Sequence, residues 1–180
     1  MTKINMGCGW RNFGEGWVHI DAGDYEHLDY NNISKLEFTE NSVDLIYASH
    51  LIAYFNREQV VPLLKEWIRV LKVGGTLRIA TPDFGKMTLL YQNSGADLGL
   101  FLGPLFGKMN MGEDTIYHKT VYDFTSLKTL LEDVGLSDVD LYRWQDTEHH
   151  MYDDHSQAYI PHMDKENGTL ISLNVQGFKK

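Results

Sequence analysis

A glycine-rich turn between two short apolar runs constrains this sequence more than any other feature. The first run, Lys3–Met6, ends in Gly7-Cys8-Gly9, and the second run, Trp17–Ile20, ends in Asp21. Glycine lets the backbone pass close to a ligand because no Cβ stands in the way. An acid at the end of the next strand can accept hydrogen bonds from both ribose hydroxyls, as in nucleotide-binding α/β folds. The stretch therefore predicts a site for an adenosine-type ligand.

A dinucleotide site is the main alternative for this turn. Its fingerprint is G-x-G-x-x-G, with an acid about 20 residues further on. Here Asn12 occupies the position of the third glycine, and Asp21 follows Gly9 after only twelve residues. This spacing leaves little room for a crossover helix, whose N-terminus a pyrophosphate favours. A nucleoside without phosphates needs no such helix, so the spacing favours adenosine over NAD.

The composition indicates one globular domain spanning residues 1–180, of which 43% are hydrophobic. The net charge of −9, with scattered positive charges, argues against nucleic acid or an anionic membrane as a partner and favours a small or neutral substrate. Cys8 is the only cysteine, which excludes a disulfide framework and a cysteine-based metal site. No apolar run approaches the roughly 18 residues of a membrane span, and the N-terminal residues have no apolar leader. We therefore expect a cytoplasmic location.

Strand and helix patterns alternate along the chain, which favours an α/β fold with a mostly parallel sheet. The clearest helix covers 57–71, where six apolar residues recur at helical spacing, Asn56 can cap the start, and Gln59 stands at the capping-box position. The other predicted elements are strands at 43–48, 76–80, 139–143 and 169–177, a weak strand at 27–30, a helix over 84–93, and a helix capped by Thr125.

In two segments the hydrophobic residues recur with no clear helix or strand periodicity. Residues 94–117 are rich in glycine and methionine and are interpreted as an inserted loop or cap. Residues 144–168 are polar and irregular, and polar loops on a rigid scaffold commonly carry function. The first predicted strand lies at the start of the sequence, so we expect either that these two segments supply a lid over the ligand or that the site is open.

Four segments together resemble the class I S-adenosylmethionine-dependent methyltransferases, and more narrowly the small single-domain methyltransferase-11-like group. The first two are Met6–Gly9 and His19–Asp21. The third, Leu36–His50, is similar to the family's LPF-x-DNSFD-x-I-x-ASH segment, and the fourth, Trp67–Leu77, to its RVLKPGG turn. The resemblance implies a Rossmann-like, doubly wound, three-layer αβα fold with an antiparallel last strand. It also implies methyl transfer from S-adenosylmethionine to a small-molecule or glycan acceptor.

The resemblance also implies cofactor-binding residues. Gly7, Cys8 and Gly9 would pass under the methionine part, and Asp21 would bind the ribose. Asn32 stands where many members have an acid that contacts the adenine amine, and Ile33 would lie beside the ring. Ala48, Ser49 and His50 would lie near the methionine end. The chain departs from the family at Ala53-Tyr54, where many members continue with Glu-His, and at Val73, which replaces a proline.

Methyl transfer to a hydroxyl requires a base with a pKa near the working pH, and histidine is the natural choice. His50 follows a strand at its carboxyl end, where ligands bind in open α/β sheets. It could act as the base there, or it could only form a hydrogen bond that stabilises the turn. His118 lies where the 94–117 segment rejoins the rest of the domain. It could face the substrate there, or it could be an ordinary surface loop residue. His155 is the third candidate.

His155 belongs to the run Glu148–His155, which contains several histidines and acids. The run matches no known ligand spacing, so no metal site is predicted. We expect some of Asp154, His155, Ser156 and Tyr159 to line the substrate side of the pocket instead.

Two other functions stay open at this point. A non-catalytic binding or scaffold protein is favoured by Asn32 and Ala53, which replace residues common in the family. An NAD-dependent oxidoreductase is disfavoured by Asn12. A homodimer is left open, whereas nucleic-acid and membrane partners are not expected.

Overall fold

The structure is a computed structural model that describes residues 1–180. Fourteen helices and strands follow one another along the chain, joined by short 3-10 helices and loops. In order they are β1 (Lys3–Met6), β2 (Trp17–Ile20), β3 (Val43–Ser49), α1 (Val60–Val70), β4 (Leu71–Pro82), α2 (Phe84–Ser94), α3 (Gly99–Phe106), β5 (Met109–Met111), β6 (Asp114–Ile116), α4 (Phe124–Asp133), β7 (Leu136–Leu141), β8 (Tyr159–Ile160), β9 (Thr169–Leu170) and β10 (Ser172–Lys179).

Six strands form one mixed sheet in the order β2-β1-β3-β4-β10-β7. The first four are parallel to one another, and β10 pairs antiparallel with both β4 and β7. The α/β class, the mostly parallel sheet and the antiparallel last strand are therefore confirmed. Because β2, β1, β3 and β4 are parallel, their carboxyl ends meet at one edge, where open α/β sheets bind ligands. We call this the carboxyl edge.

One face of the sheet, the helix face, is apolar and covered by α1 and α4. The 25-residue core cluster joins strand residues such as Ile46 and Ile79 to the inward stripes of both helices. Trp67 of α1 is completely buried, and its Nε1 donates to the carbonyl of Ile33 at 2.8 Å. The periodic pattern of the sequence predicts this layer because each apolar stripe must be buried against a partner.

The opposite face, the loop face, carries a smaller apolar cluster of Phe13, Trp17, Leu45 and Tyr47, against which Tyr152 packs. Its cover is made of the loop at 10–16, the 3-10 helices Trp144–Asp146 and His155–Gln157, and the turns between them. Over this cluster the cover therefore consists of loops and 3-10 turns.

Several element boundaries differ from the predicted ones for local reasons. Helix α1 begins at Val60 rather than residue 57, although the predicted capping box is present: Asn56 Oδ1 accepts from the Gln59 amide at 2.8 Å, and Gln59 Oε1 accepts from the Asn56 amide at 3.2 Å. The cap of α4 is Asp123, not Thr125, because Asp123 and Ser126 exchange hydrogen bonds in a capping box. The predicted strand at 27–30 reduces to one bridge between Ile20 and Tyr30.

Residues 94–117 contain helix α3 and the β5–β6 hairpin, which the sequence pattern did not predict. Helix α3 reads GLFLGPLF and is apolar on every side, so it has no amphipathic period to detect. Its end is attached to the body at His118, whose amide donates to the carbonyl of Phe106 at 2.8 Å. The irregular segment 144–168 likewise contains one strand, β8, which pairs with β9. No helix of the chain has the length and apolar composition needed to cross a membrane.

Candidate active site

The glycine turn and Asp21 are joined by backbone hydrogen bonds at the carboxyl edge. Gly7 and Gly9 have φ of 67° and 56°, in the left-handed region that favours glycine. The amides of Gly9 and Gly23 donate to the two carboxylate oxygens of Asp21, at 2.8 Å and 2.7 Å. A carboxylate has about four acceptor positions. Asp21 therefore holds two loops in place and keeps acceptor capacity for the hydroxyls of a ligand.

The two glycines of the turn face different surroundings. A Cβ at Gly7 would lie 2.6 Å from Leu51 Cδ2, whereas a Cβ at Gly9 would meet only the Tyr25 hydroxyl, at 4.0 Å. The missing side chain at Gly7 thus makes room for Leu51, and the space above Gly9 is open. Gly9 is the position of the turn where a ligand can approach the backbone.

Cys8 lies between the two glycines with its side chain buried. Burial, followed by the charge of Asp21, raises the pKa of the Cys8 thiol to about 12. Its Sγ lies 3.7 Å from His27 Nε2, a contact between residues that the sequence does not bring together. The thiol stays protonated at neutral pH, so Cys8 contributes its backbone and its packing rather than a nucleophile.

A cleft of about 500 Å³ lies beside the Asp21 loop. Its lining includes Gly23, Tyr25, Tyr30 and Glu37. The ring of Tyr25 also packs against Gly23, 2.6 Å from where a Cβ would stand. An apolar ring beside an acid that keeps free acceptor positions is a suitable surface for the base and ribose of a nucleoside.

Asn32 and Ile33 lie next to this cleft, but their groups are engaged locally. Asn32 Oδ1 accepts from the amides of Ser34 and Lys35, at 2.9 Å and 3.0 Å. The Ile33 side chain packs on the core of the helix face. Contact with an adenine through the Asn32 amide would therefore use its nitrogen or the backbone around it.

Ala48, Ser49 and His50 stand at the end of β3, directly beside the glycine turn, because Met6 pairs with Ala48. The Ala48 side chain belongs to the core of the helix face. Ser49 Oγ is buried with no hydrogen-bond partner, and so is Thr81 Oγ1 near the end of the neighbouring β4. Buried hydroxyls are normally paired, so two orphaned hydroxyls at the carboxyl edge fit a site that receives a polar ligand.

The three candidate histidines gather at this edge. The ring centroids of His50 and His155 are 5.1 Å apart, and His118 packs edge-on against Tyr54 with centroids 4.6 Å apart. His50 has a φ of 51°, which is unusual for a residue other than glycine and is most often found at functional sites. The residue sits half-buried where β3 ends, with its Nε2 3.3 Å from Ser172 Oγ.

Burial and positive charge keep these imidazoles neutral. Burial lowers the pKa of His50 well below its usual value, and the nearby Arg11, His155 and His118 disfavour a second positive charge there and lower it further. Partial burial of the ring is also the main reason that the pKa values of His118 and His155 are lowered, although part of His155 stays exposed. A neutral imidazole can take up a proton, so the cluster is in the protonation state that a base requires.

Arg11 was not among the predicted site residues, although it influences two of the histidines. Its Nε donates to the carbonyl of Asp153 at 2.9 Å, and its charge lowers the pKa of both His50 and His155. The contact joins residues 142 positions apart, so nothing local in the sequence indicates it. Arg11 connects the glycine turn to the late polar segment.

The run Glu148–His155 is distributed over separate contacts. Glu148 pairs with Arg78 at 2.7 Å, His149 stacks on Tyr47 with centroids 3.9 Å apart, and Asp154 accepts from the Tyr47 hydroxyl at 2.6 Å. No three histidine, cysteine, aspartate or glutamate side chains come together in a group that could hold a metal.

Of the four residues expected on the substrate side, only His155 is exposed beside His50. Asp154 and Ser156 are buried, and the Tyr159 hydroxyl accepts from Trp144 Nε1 at 3.3 Å. Asp154 and Tyr159 thus make hydrogen bonds within the cover of the loop face, to Tyr47 and Trp144, whereas Ser156 contributes its backbone.

Comparison with known proteins agrees with this geometry. Residues 16–79 match the family model of a methyltransferase domain. The chain has the class I methyltransferase fold. Among solved structures, an S-adenosylmethionine-dependent methyltransferase from Archaeoglobus fulgidus aligns with a TM-score of 0.60 at 13% identity, covering 99% of this chain and 86% of that one. A second, from Methanosarcina mazei, aligns with a TM-score of 0.59 at 16% identity, covering 99% and 92%.

A third similar structure comes from Haloferax volcanii, where a methyltransferase is in complex with the Trm112 methyltransferase activator. It aligns with a TM-score of 0.53 at 16% identity, covering 99% of this chain and 81% of that chain. No curated protein sequence matches this one. The matched segment is a methyltransferase domain, and the Archaeoglobus and Methanosarcina proteins are both described as S-adenosylmethionine-dependent methyltransferases. They leave the acceptor open.

The loop between β1 and β2 bears on the dinucleotide alternative. Residues 7–16 form turns and irregular backbone with no helix. A pyrophosphate would therefore lack the helix N-terminus that dinucleotide sites provide. As the short spacing from Gly9 to Asp21 predicted, no crossover helix lies between the two strands. This absence of a helix N-terminus agrees with a nucleoside-type cofactor.

Proposed function

We propose that this methyltransferase acts on a hydroxyl of a small molecule or glycan, with His50 as the proton acceptor. The observation that carries the proposal is the gathering of His50, His155 and His118 at the carboxyl edge, next to the glycine turn. Gly7–Gly9, Asp21 and the cleft beside Tyr25 would hold the cofactor, and Ser49 would meet its polar groups. The net charge of −9 supports a small acceptor rather than a nucleic acid.

In the proposed reaction the protein forms no covalent bond with the acceptor, because the reactive group belongs to the cofactor. When bound, S-adenosylmethionine supplies a methyl group whose carbon–sulfur bond breaks toward sulfur as the acceptor oxygen bonds to the carbon. The protein orients the acceptor and excludes water from the reacting atoms. His50 takes the proton that the hydroxyl gives up, and its lowered pKa means that it starts neutral. Arg11 and His155 border the same space and would contact the acceptor.

Titration calorimetry of the whole chain with S-adenosylhomocysteine tests the cofactor half of the proposal. We expect binding by the wild type and about tenfold to hundredfold weaker binding by Asp21→Ala, because hydrogen bonds to a charged group contribute about 1.5–3 kcal/mol. The matched control is Glu26→Ala, an exposed acid five positions along, which should bind as the wild type does. No binding by the wild type at high micromolar concentration would overturn the cofactor assignment, and equal affinity of Asp21→Ala would overturn the ribose assignment.

A panel of hydroxyl-bearing metabolites and sugars tests the acceptor half, with release of S-adenosylhomocysteine as the signal. For an accepted substrate, His50→Gln at saturating cofactor should lose turnover by about 10²–10⁴-fold, the usual contribution of general base catalysis. Unchanged turnover by His50→Gln would contradict the role of His50 as the base.

A non-catalytic role is the second candidate, and two observations favour it. The Asn32 side chain is engaged by its own loop, and Leu51 fills the space over Gly7. Under this alternative the folded wild type would bind S-adenosylhomocysteine weakly or not at all and would turn over no acceptor. The calorimetric titration therefore separates the two functions before any acceptor is known.

A further inference from the structure

A chain of three buried polar contacts extends from His50 into the loop face. His50 Nε2 lies 3.3 Å from Ser172 Oγ, Ser172 Oγ lies 2.9 Å from Asn174 Oδ1, and Asn174 Nδ2 lies 2.9 Å from the carbonyl oxygen of Ser156. Ser172 and Asn174 are buried, 1% and 3% exposed. Both stand on β10, opposite the end of β4, where Ser172 pairs with Pro82 and Asn174 with Ala80.

The far end of this chain fixes the direction of every hydrogen bond in it. The Ser156 carbonyl can only accept, so the amide atom of Asn174 that faces it must be the nitrogen. The other amide atom of Asn174 is therefore the oxygen, which also can only accept. Ser172 must donate its single proton to that oxygen, because two acceptors would otherwise face each other across 2.9 Å.

The same reasoning determines the state of His50. Ser172 has used its only proton, so toward His50 its oxygen can act only as an acceptor. His50 Nε2 must then carry a hydrogen and donate it. In a neutral imidazole one nitrogen carries the hydrogen and the other is free to accept. The free nitrogen is Nδ1.

We infer that Ser172 and Asn174 are positioning residues that hold His50 with its hydrogen on Nε2 and leave Nδ1 as the atom that takes the acceptor's proton. The inference deepens the proposed function by naming the atom of His50 that does the chemistry, and it rests on that function for its catalytic meaning. The proton passes from the acceptor hydroxyl to Nδ1 and the ring becomes a cation, while the Nε2 hydrogen stays on Nε2 and keeps its hydrogen bond to Ser172 Oγ. The same contact also fixes the plane of the ring at the carboxyl edge.

The sequence offers a faint signal for these residues. Ser172, Asn174 and Gln176 alternate with Leu173 and Val175, the period-two pattern of a strand with one apolar and one polar face. A polar face would ordinarily be assigned to solvent. Here it is buried under the late polar segment, so each of its groups needs a partner within the protein.

Nitrogen-15 NMR of the histidine rings in the whole protein tests the inference without any substrate. We expect His50 to show a directly observable Nε2-bound hydrogen and an unprotonated Nδ1 in the wild type. Ser172→Thr keeps the hydroxyl and should keep this signal, whereas Ser172→Ala should lose it to rapid exchange with water. The matched control is Ser137→Ala, a strand serine whose hydroxyl contacts only the Phe178 carbonyl, and it should leave the signal unchanged.

A hydrogen on Nδ1 of His50 in the wild type, or a signal that survives unchanged in Ser172→Ala, would overturn the inference. The wild-type spectrum alone decides the first point, so the test stands even if Ser172→Ala does not fold. Cofactor titration of the same samples distinguishes failure of the hydrogen-bond assignment from failure of the proposed function. Wild type that shows the Nε2-bound hydrogen but binds no S-adenosylhomocysteine would refute the proposed function and leave the hydrogen-bond assignment in place.

Discussion

The two faces of the sheet are stabilised by different kinds of contact. The helix face is a continuous apolar cluster in which the stripes of α1 and α4 pack on alternate residues of the strands. The loop face has a four-residue apolar cluster surrounded by polar contacts, among them Tyr47 to Asp154, Arg78 to Glu148 and Asn174 to Ser156. Burial of apolar area stabilises the first, and satisfied hydrogen bonds stabilise the second.

The comparison indicates that the two faces of the sheet have different roles. The helix face needs only apolar residues of suitable size, and its contacts follow the order of the elements. The loop face brings together residues far apart in sequence, such as Tyr152 and Phe13, which are 139 positions apart. It also carries the polar chain that ends at His50. We infer that the helix face supplies most of the stability and that the loop face shapes the acceptor side of the site.

The largest expected effect lies on the helix face. Trp67→Ala should lower the free energy of unfolding by about 3–5 kcal/mol, because it leaves a cavity in a closed core and removes the hydrogen bond to Ile33. Urea unfolding followed by circular dichroism measures it. The matched control is Trp10→Ala, whose side chain is 70% exposed and whose loss should change stability by about 0.5 kcal/mol or less. Similar losses for the two variants would contradict the assignment of the main core to the helix face.

The second effect distinguishes the loop face by its dependence on pH. Burial lowers the pKa of His149 from 6.5 to about 4, so between these values the unfolded chain binds a proton that the folded chain does not. Stability should therefore fall as pH drops from about 6.5 to about 4, by up to about 3 kcal/mol from this residue. The lowered pKa values of His50, His118 and His155 add in the same direction.

His149→Phe separates this contribution from the rest. The ring stacking on Tyr47 can persist, and His149 Nε2 has no partner to lose. Thermal unfolding at a series of pH values should show a shallower acid loss for His149→Phe than for the wild type. His162→Phe, at an exposed position, should follow the wild type. Parallel pH curves for His149→Phe and the wild type would refute the prediction.

The smallest of the three effects concerns a single hydrogen bond of the loop face. Tyr47→Phe keeps the aromatic packing and removes the hydroxyl that donates to buried Asp154 at 2.6 Å. We expect a loss of about 1–3 kcal/mol, because a buried acceptor is left without that partner. Limited proteolysis should show faster cleavage within 144–158 and no change in α1 or α4. Tyr91→Phe, at a half-exposed position on α2, is the control, and equal behaviour of the two variants would count against the polar contact as a support of this face.

The same contrast explains which features the sequence could reveal. The stripe of α1, the strands β1 and β2, and the turn ending at Asp21 are local patterns, and the structure places them where the patterns predicted. Helix α3 was missed because it is apolar all round, and the α4 cap was assigned to Thr125 because Asp123 and Thr125 are both good capping residues.

The site divides in the same way. Gly9 and Asp21 come from one short stretch, so their spacing carries information. The approach of His50 to His155, and of both to Arg11, exists only after β10 and the late polar segment have folded onto the sheet. The period-two pattern at Ser172–Gln176 shows a polar face but not its burial. Contacts of this kind depend on tertiary structure and leave no periodic trace in the sequence.

The central claim is that the carboxyl edge, and not the helix face, binds the cofactor. Hydrogen exchange of the whole chain, measured by mass spectrometry with and without S-adenosylhomocysteine, tests it most directly. With S-adenosylhomocysteine we expect slower exchange in the peptides that cover Gly7–Gly9, Asp21–Tyr25 and Ser49–Leu51. The exchange rates of α1 and α4 should not change. Protection confined to α1 and α4, or no protection in the three edge peptides at saturating ligand, would contradict it.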